Sequence, residues 1–382
     1  MKLFAVAGEL SGDAHGGALL EGLRARLPGL RVTGIGGPCM LAQGLEPLLP
    51  MAHLQVHGLL EVVRHLPRLY RILWRVEAAL AAERPDAVLL VDYPGFNLKV
   101  ARAARRLGLP VYHYSAPQVW AWRRRRIRTV ARCVSRLIVL LPFEEALFRA
   151  AGVDAVFLGH PLVGQRAAPA EVAALRERLG PSDETPLVAV MPGSRPSELA
   201  RHLPTMLDAL GRLAARGYRA RYVLPLAESL SPAQVAPLLA GSPVPVHLAP
   251  GAFLPLLQLA DLAMVASGTA TLQVGMAGIP FVVIYKVSPL SYHLARRFAT
   301  VRHFAMVNIL AGREIVPELL QERFTADNLA ETFAALATDP ARQQAMRHAL
   351  AEATATLGEP GAYGRAAALI AEGLRATAAA GP

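Results

Sequence analysis

The residues best suited to chemistry stand where short apolar runs break into glycine-bearing turns. In VLLVDYPGFN (88–97), Asp92 ends such a run and precedes a Pro-Gly turn. A carboxylate at a buried strand's end projects outward and can deprotonate a nucleophilic hydroxyl. The same residue can instead cap the helix near Asn97 or orient neighbouring backbone. AVAGELSGD (5–13) brings Glu9 to a second strand end. There Gly8 permits a tight turn, and Ser11 and Asp13 can cap the helix that follows. An ordinary strand-to-helix turn is the plainer reading of that segment. GIGGPCM (34–40) adds a Gly-rich turn, but neither GxGxxG spacing nor a Walker-type GxxxxGK[ST] occurs.

Two further turns read as anion sites. In VAVMPGSRPSE (188–198) a strand ends at Met191, and Pro192, Gly193 and Ser194 lead into a helix beside Arg195. Backbone N–H groups at a helix start, with one arginine, suit a phosphate. Glu198 can alternatively complete a capping box, with Arg195 merely paired to it. In MVASGTATLQ (264–273), Ser267, Gly268 and Thr269 do the same work after another strand. If both strands belong to one sheet, the turns can meet on a single diphosphate.

The charge balance favours anionic partners. Lys plus Arg number 40 against 29 Asp plus Glu, a net charge of +11, and Lys2, Lys99 and Lys286 are the only lysines. Arginine binds phosphate bidentately, so nucleic acid, an anionic membrane surface and phosphorylated substrates all fit. YSAPQVWAWRRRRIR (114–128) sets Arg123 to Arg126 and Arg128 beside two tryptophans. That pattern suits base stacking, membrane headgroups or an anionic substrate, and most simply a solvated helix face; nucleic acid is the least favoured. Residues 57–76, HGLLEVVRHLPRLYRILWRV, interleave Leu60, Val63, Leu66 and other apolar residues with Arg64, Arg68, Arg71 and Arg75, around an interrupting Pro67. A helix packed on a core and a basic amphipathic face docking on an anionic bilayer both fit. Cys39 and Cys133 are the only cysteines, which excludes a four-cysteine zinc site and a disulfide framework and favours a reducing compartment. No metal-ligand cluster or cofactor motif is evident.

These side chains need a scaffold of buried strands. Apolar runs rich in Val, Ile and Leu recur at Leu3 to Ala7, Ala87 to Asp92, Val111 to Tyr114, Leu137 to Leu141, Leu187 to Met191, Arg221 to Leu224, Leu262 to Ala266 and Phe281 to Tyr285. Without polar alternation, such runs are strands buried on both faces, and helical stretches between them give a doubly wound α/β class. The opening MKLFAVAGE reads as a first strand rather than a signal peptide, its apolar run being too short. Leu262 to Tyr285 carries no Asp, Glu, Lys or Arg and is long enough to span a bilayer, yet Gly275, Gly278 and Pro280 break it into strand, helix and strand. Length and a polar helical stretch after GHPLVGQ (159–165) predict two Rossmann-like domains facing a cleft, spanning 1–170 and 171–350. The Ala-rich helices of 351–382 are expected to pack back toward the first domain.

In order along residues 3–325, AGELSGD, GIGGPCM, DYPGFN, SAPQVWAWR, LLPFE, LGHPL, MPGSR, SGTATLQ and VNILAGREIVPELLQ together resemble the bacterial lipid-A-disaccharide synthases. The resemblance implies a two-domain GT-B glycosyltransferase that needs no metal and no cofactor. It implies transfer of 2,3-diacylglucosamine from its UDP derivative to the 6-hydroxyl of 2,3-diacylglucosamine 1-phosphate, with inversion, giving a β-1,6 disaccharide phosphate and UDP. Asp92 matches the family's proposed base and Glu9 an acidic residue beside it. UDP contacts map to Gly193, Ser194, Arg195, Ser267, Gly268, Thr269, Gln273 and Asn308. Gln273 departs from the glutamate common at its position; an amide can still meet ribose hydroxyls, with less charge assistance. The acylated substrates imply peripheral attachment to the anionic cytoplasmic face of the inner membrane, with Leu60, Val63 and Leu66 in contact. Self-association is left open by the sequence. The rival activities are another UDP-N-acetylglucosamine-dependent GT-B transferase or an epimerase, and a nucleotide- or lipid-binding protein without turnover.

Overall fold

A computed structural model describes the chain except for residues 55–58, 123, 181–184, 228–229, 289–301 and 381–382, and except for the side chains of 59–65 and 380. The chain forms two compact units, one of Met1–Val163 with Gly358–Pro382 and one of Gly164–Leu357.

The first unit is built on a seven-stranded parallel sheet. Its strands are β1 (Lys2–Ala7), β2 (Arg31–Ile35), β3 (Glu46–Pro47), β4 (Ala87–Val91), β5 (Val111–Tyr114), β6 (Arg136–Val139) and β7 (Ala155–Phe157), in the order β3-β2-β1-β4-β5-β6-β7. Side chains alternate between two apolar layers. Phe4, Val6, Val88 and Leu90 enter one, and Leu3, Ala5, Leu89 and Val91 the other, which is why these runs lack polar alternation. The last helix, Ala362–Ala380, supplies Ala366, Ala367, Ile370, Ala371 and Leu374 to the second layer, beside Leu19, Leu20 and Leu23 of helix Leu10–Arg26. Close approach of these two helices rests on small residues: a Cβ on Gly22 would lie 2.8 Å from that of Ala367.

The second unit repeats the plan with six parallel strands. They are β8 (Leu187–Met191), β9 (Arg221–Leu226), β10 (Val246–Pro250), β11 (Leu262–Ala266), β12 (Phe281–Tyr285) and β13 (Glu318–Leu320), ordered β10-β9-β8-β11-β12-β13. The membrane-length stretch is β11, helix Thr269–Met276 and β12. Among the described residues, no helix is long and apolar enough to cross a membrane.

Five strands had no marked apolar run. β3, β7 and β13 are only two or three residues long, β10 is an edge strand, and β2 includes Arg31, Thr33 and Gly34. Sheet pairing rather than local hydropathy makes them strands. Helix Leu59–Glu83 runs through Pro67 instead of stopping there. Burial of Ile72, Val76 and Leu80 holds the helix beyond it, outweighing the lost backbone bond.

Candidate active site

In the first unit, the carboxyl ends of β1 and β4 are neighbours, with Ala7 opposite Val91. Glu9 and Asp92 therefore leave adjacent strand ends. Asp92 and Tyr93 both take left-handed backbone, with φ of +50° and +46°, forming a sharp elbow before helix Pro94–Arg106. The Asp92 N–H donates to Tyr114 O at 2.9 Å. Asn97 Nδ2 donates to the carbonyls of Asp92 at 2.7 Å and Val91 at 3.1 Å. These bonds hold the elbow through the main chain of Asp92, and its carboxylate is committed to one bond within the elbow, from the Tyr93 backbone. Burial pushes the Asp92 carboxyl above its ordinary pKa, partly offset by a bond from the Tyr93 backbone. Gly8 lies under the Tyr93 ring, where a Cβ would overlap it, and Tyr93 Oη donates to Leu54 O at 2.7 Å. Burial, then the nearby Glu9 charge, raises the Tyr93 hydroxyl pKa. Glu9 itself is the N-cap residue of helix Leu10–Arg26, without a side-chain cap bond.

Asp13 departs from the sequence expectation. It does not cap the helix it belongs to; its buried carboxylate accepts from the backbone of Gly37 (2.7 Å), Cys39 (2.9 Å) and Met40 (3.1 Å). GIGGPCM is thus a turn held from outside, at the start of helix Pro38–Ala42. The tryptophan-arginine segment is likewise anchored. Trp120 Nε1 donates to Glu144 Oε1 at 2.8 Å, and Leu141 N donates to Glu144 Oε2 at 3.1 Å. Burial pushes Glu144 up to about 7, opposed by those hydrogen bonds. Arg126 lies over the Trp122 ring at 5.3 Å, and Arg123 is outside the described residues.

In the second unit, β8 and β11 pair directly, Met191 facing Val265, so the PGSR and SGT turns leave adjacent parallel strands. Both line one cavity of about 490 Å³: Gly193, Ser194 and Arg195 on one side, Ser267, Gly268, Thr269 and Gln273 on the other. Gly193 and Gly268 have φ of +124° and +156°, values that favour glycine. Helix Pro196–Ala215 starts behind Arg195 and helix Thr269–Met276 behind Gly268, directing positive dipole ends toward the cavity. Ser267 Oγ donates to Phe304 O at 2.9 Å, and Met306 N donates to Thr271 Oγ1 at 3.3 Å. His202, fully buried, bonds Pro192 O at 2.6 Å through Nδ1 and accepts from Lys286 N at 3.0 Å through Nε2, tying the first turn to the end of β12. Of the alternative raised by the sequence, the pairing of Glu198 with Arg195 is present but the capping box is not: the Glu198 carboxylate accepts from the Ser194 N–H, one residue before the N-cap Arg195.

Asn308 does not join that cavity. It is fully buried, and its amide is spent on structure: Nδ2 donates to Val316 O (2.9 Å) and Glu318 Oε1 (2.8 Å), while Oδ1 accepts from Ile315 N (2.8 Å) and Val316 N (3.0 Å). Glu318 also accepts from Phe304 N and Ala305 N. The pair therefore shapes the backbone that Ser267 touches. Sequence reading did not single out the cavity residues Pro225, Ala227, Phe253 and Tyr285, although Tyr285 ends a recognised strand. Leu66 is exposed on helix Leu59–Glu83, whereas the side chains of Leu60 and Val63 are outside the description.

Two doubly wound parallel units, with a cavity at the carboxyl ends of the second sheet, define the GT-B architecture. Solved structures with this fold include Acinetobacter baumannii MurG (TM-score 0.58, 15% identity, covering 97% of this chain and 99% of that one). Another is the UDP-GlcNAc 2-epimerase of Neisseria meningitidis bound to UDP-GlcNAc (TM-score 0.60, 14% identity, covering 98% and 100%). Sequence narrows the class. A family model described as lipid-A-disaccharide synthetase matches residues 3–372. The lipid-A-disaccharide synthase of Myxococcus xanthus is 41% identical over 371 residues, 97% of each chain, and that of Anaeromyxobacter dehalogenans (strain 2CP-C) 43% over 362 residues, 94% of each. The chain belongs to the lipid-A-disaccharide synthase family.

Proposed function

We propose that this chain transfers 2,3-diacylglucosamine from its UDP derivative to the 6-hydroxyl of 2,3-diacylglucosamine 1-phosphate, with inversion. The observation that carries the reading is the single cavity lined by both glycine turns and Arg195. Its paired helix starts and guanidinium suit a diphosphate, and Gln273 offers an amide for ribose hydroxyls. Asp92 takes the proton of the acceptor 6-hydroxyl as its oxygen bonds to the donor's C1. The bond from C1 to the UDP oxygen breaks on the opposite face, and the electron pair leaves with UDP. A carboxylate whose pKa is raised by burial is a stronger base toward a hydroxyl than an exposed one. Glu9, at the neighbouring strand end, places a second negative charge beside the acceptor site. The donors that meet the leaving diphosphate are the Arg195 guanidinium and the turn N–H groups.

The acylated substrates place the enzyme at a membrane. Helix Leu59–Glu83 exposes Leu66, Tyr70 and Trp74 at four-residue spacing, the last 70% exposed, while Ile72, Val76 and Leu80 face the core. One helix thus carries two separate apolar stripes, and Arg68, Arg71 and Arg75 share the face that borders the outer one on one side. This suits peripheral attachment to the anionic cytoplasmic face of the inner membrane.

Incubation with both diacylated substrates, followed by mass spectrometry, tests the reaction. UDP and a disaccharide phosphate should appear together, and only when donor and acceptor are both present. Epimerised UDP-sugar without acceptor, or equal transfer from UDP-N-acetylglucosamine, would replace this reading with one of its rivals.

A further inference from the structure

Two of the donors that a diphosphate could use at the PGSR turn, one backbone N–H and one N–H of the Arg195 guanidinium, are already engaged. Ser194 N donates to Glu198 Oε2 at 3.0 Å, and Arg195 Nη1 donates to Glu198 Oε1 at 3.2 Å. One carboxylate thus spans a backbone N–H and a guanidinium, the same pair of groups that would hold a phosphate. Glu198 lines the cavity with Gly193 and with the Ser267–Thr269 turn opposite. Gly193 makes room for it: at φ +124°, a Cβ there would lie 2.7 Å from the Glu198 Cβ and within 3.2 Å of its carboxyl carbon. The charges act on a common wall. Burial raises the Tyr285 hydroxyl pKa, the Glu198 charge adds to that, and Arg195 and Arg201 oppose it.

We propose that Glu198 is an internal competitor for the diphosphate: it holds the Ser194 N–H and Arg195 when the site is empty, yields them to the UDP group, and recaptures them as UDP leaves. The inference rests on the reading of this cavity as the UDP site. A backbone N–H has one hydrogen and serves one good acceptor, so carboxylate and phosphate cannot both keep the Ser194 bond. Two anions against one another in a half-enclosed cavity also repel. Glu198 therefore weakens UDP binding, and in doing so keeps the donors paired when UDP is absent and speeds release of product. A carboxylate that merely braced Arg195 for its ligand would act in the opposite direction, since its removal would loosen the arginine and weaken UDP.

The sign of the effect decides between them. UDP and uridine are titrated calorimetrically into wild type, Glu198→Gln, Glu198→Asp and Arg195→Ala, with a thermal melt of each. Glu198→Gln should tighten UDP by about tenfold, the scale of one charge-assisted hydrogen bond regained, and leave uridine unchanged. Glu198→Asp keeps the charge but is one methylene too short for Ser194, so it should tighten UDP by less. UDP should also become a stronger product inhibitor of Glu198→Gln during turnover. Arg195→Ala should weaken UDP and leave uridine alone. If Arg195→Ala weakens UDP while both Glu198 variants bind it unchanged or more weakly, the competitor role is overturned and the UDP site stands. If Arg195→Ala leaves UDP affinity unchanged, the turn is not the diphosphate site and both fall.

Discussion

Replacing Asp92 by Asn should separate activity from stability, in opposite directions. The elbow survives the change. Asn is one of the few residues that enter left-handed backbone readily, and the bonds fixing Asp92 run from its own N–H to Tyr114 O and from Asn97 to its carbonyl. Losing a general base slows the chemical step by about a hundredfold to ten-thousandfold, or about 3–5 kcal/mol of barrier. Stability moves the other way. Burial raises the Asp92 carboxyl pKa, so the folded chain holds this proton more tightly than the unfolded one. Its contribution to stability is therefore fully present below the unfolded pKa and is lost as pH rises through the folded value. A neutral Asn carries no such loss, so at pH 8 the variant should melt at or above the wild-type temperature. Asp92→Ala should be as inactive as Asp92→Asn but melt lower, because Ala in left-handed backbone costs about 1–2 kcal/mol. The assays are UDP release at saturating donor, UDP calorimetry and a melt at pH 8. Wild-type turnover should rise with pH and level off above the raised Asp92 pKa, and that limb should vanish in Asp92→Asn. A folded Asp92→Asn enzyme with turnover within tenfold of wild type would refute the assignment. A large fall in its melting temperature would show that the carboxylate braces the elbow.

Asp13→Ala strips acceptors from three backbone N–H groups at the start of helix Pro38–Ala42 and should cost about 3 kcal/mol or more, at about 1–3 kcal/mol for each buried donor left unpaired. Asp13→Asn keeps the acceptor for Gly37 and Met40 but sets an NH₂ against Cys39 N, so denaturant titration should place it between Ala and wild type. Glu144 is raised from 4.5 to about 7 chiefly by burial, so its contribution to stability is lost as pH rises from the unfolded value through about 7. Glu144→Gln still offers an acceptor to Trp120, and melts across that window should show the wild type losing stability relative to this variant, then running parallel above it. On the outer face of helix Leu59–Glu83, replacing Leu66, Tyr70 and Trp74 together by Ser should release the protein from anionic vesicles and leave UDP affinity intact. A drop of many degrees in melting temperature would instead mean that these side chains support the fold.

Much of this architecture is written locally. The bounds of Val111–Tyr114, Leu187–Met191, Leu262–Ala266 and Phe281–Tyr285 follow from runs of mainly apolar residues ended by turn residues, because a strand buried on both faces is apolar at nearly every position, the buried His113 being the exception in Val111–Tyr114. Asp92, the PGSR turn and the SGT turn could be set at strand ends for the same reason. What the sequence could not supply was the partner of each buried polar group. Asp13 serves a turn more than twenty residues away, and Asn308, legible only as a candidate ligand contact, spends its amide on Val316 and Glu318. The last helix, separated from the first by more than three hundred residues of sequence, buries Ile370 and Leu374 beside Leu19 and Leu23 within the same unit. Apolar periodicity reports which face of an element is covered, and turn chemistry reports where it ends. Neither names the group across the layer. That choice is made by strand order, since adjacency in a parallel sheet joins residues far apart in the chain, and a buried donor or acceptor must pair with whatever adjacency brings.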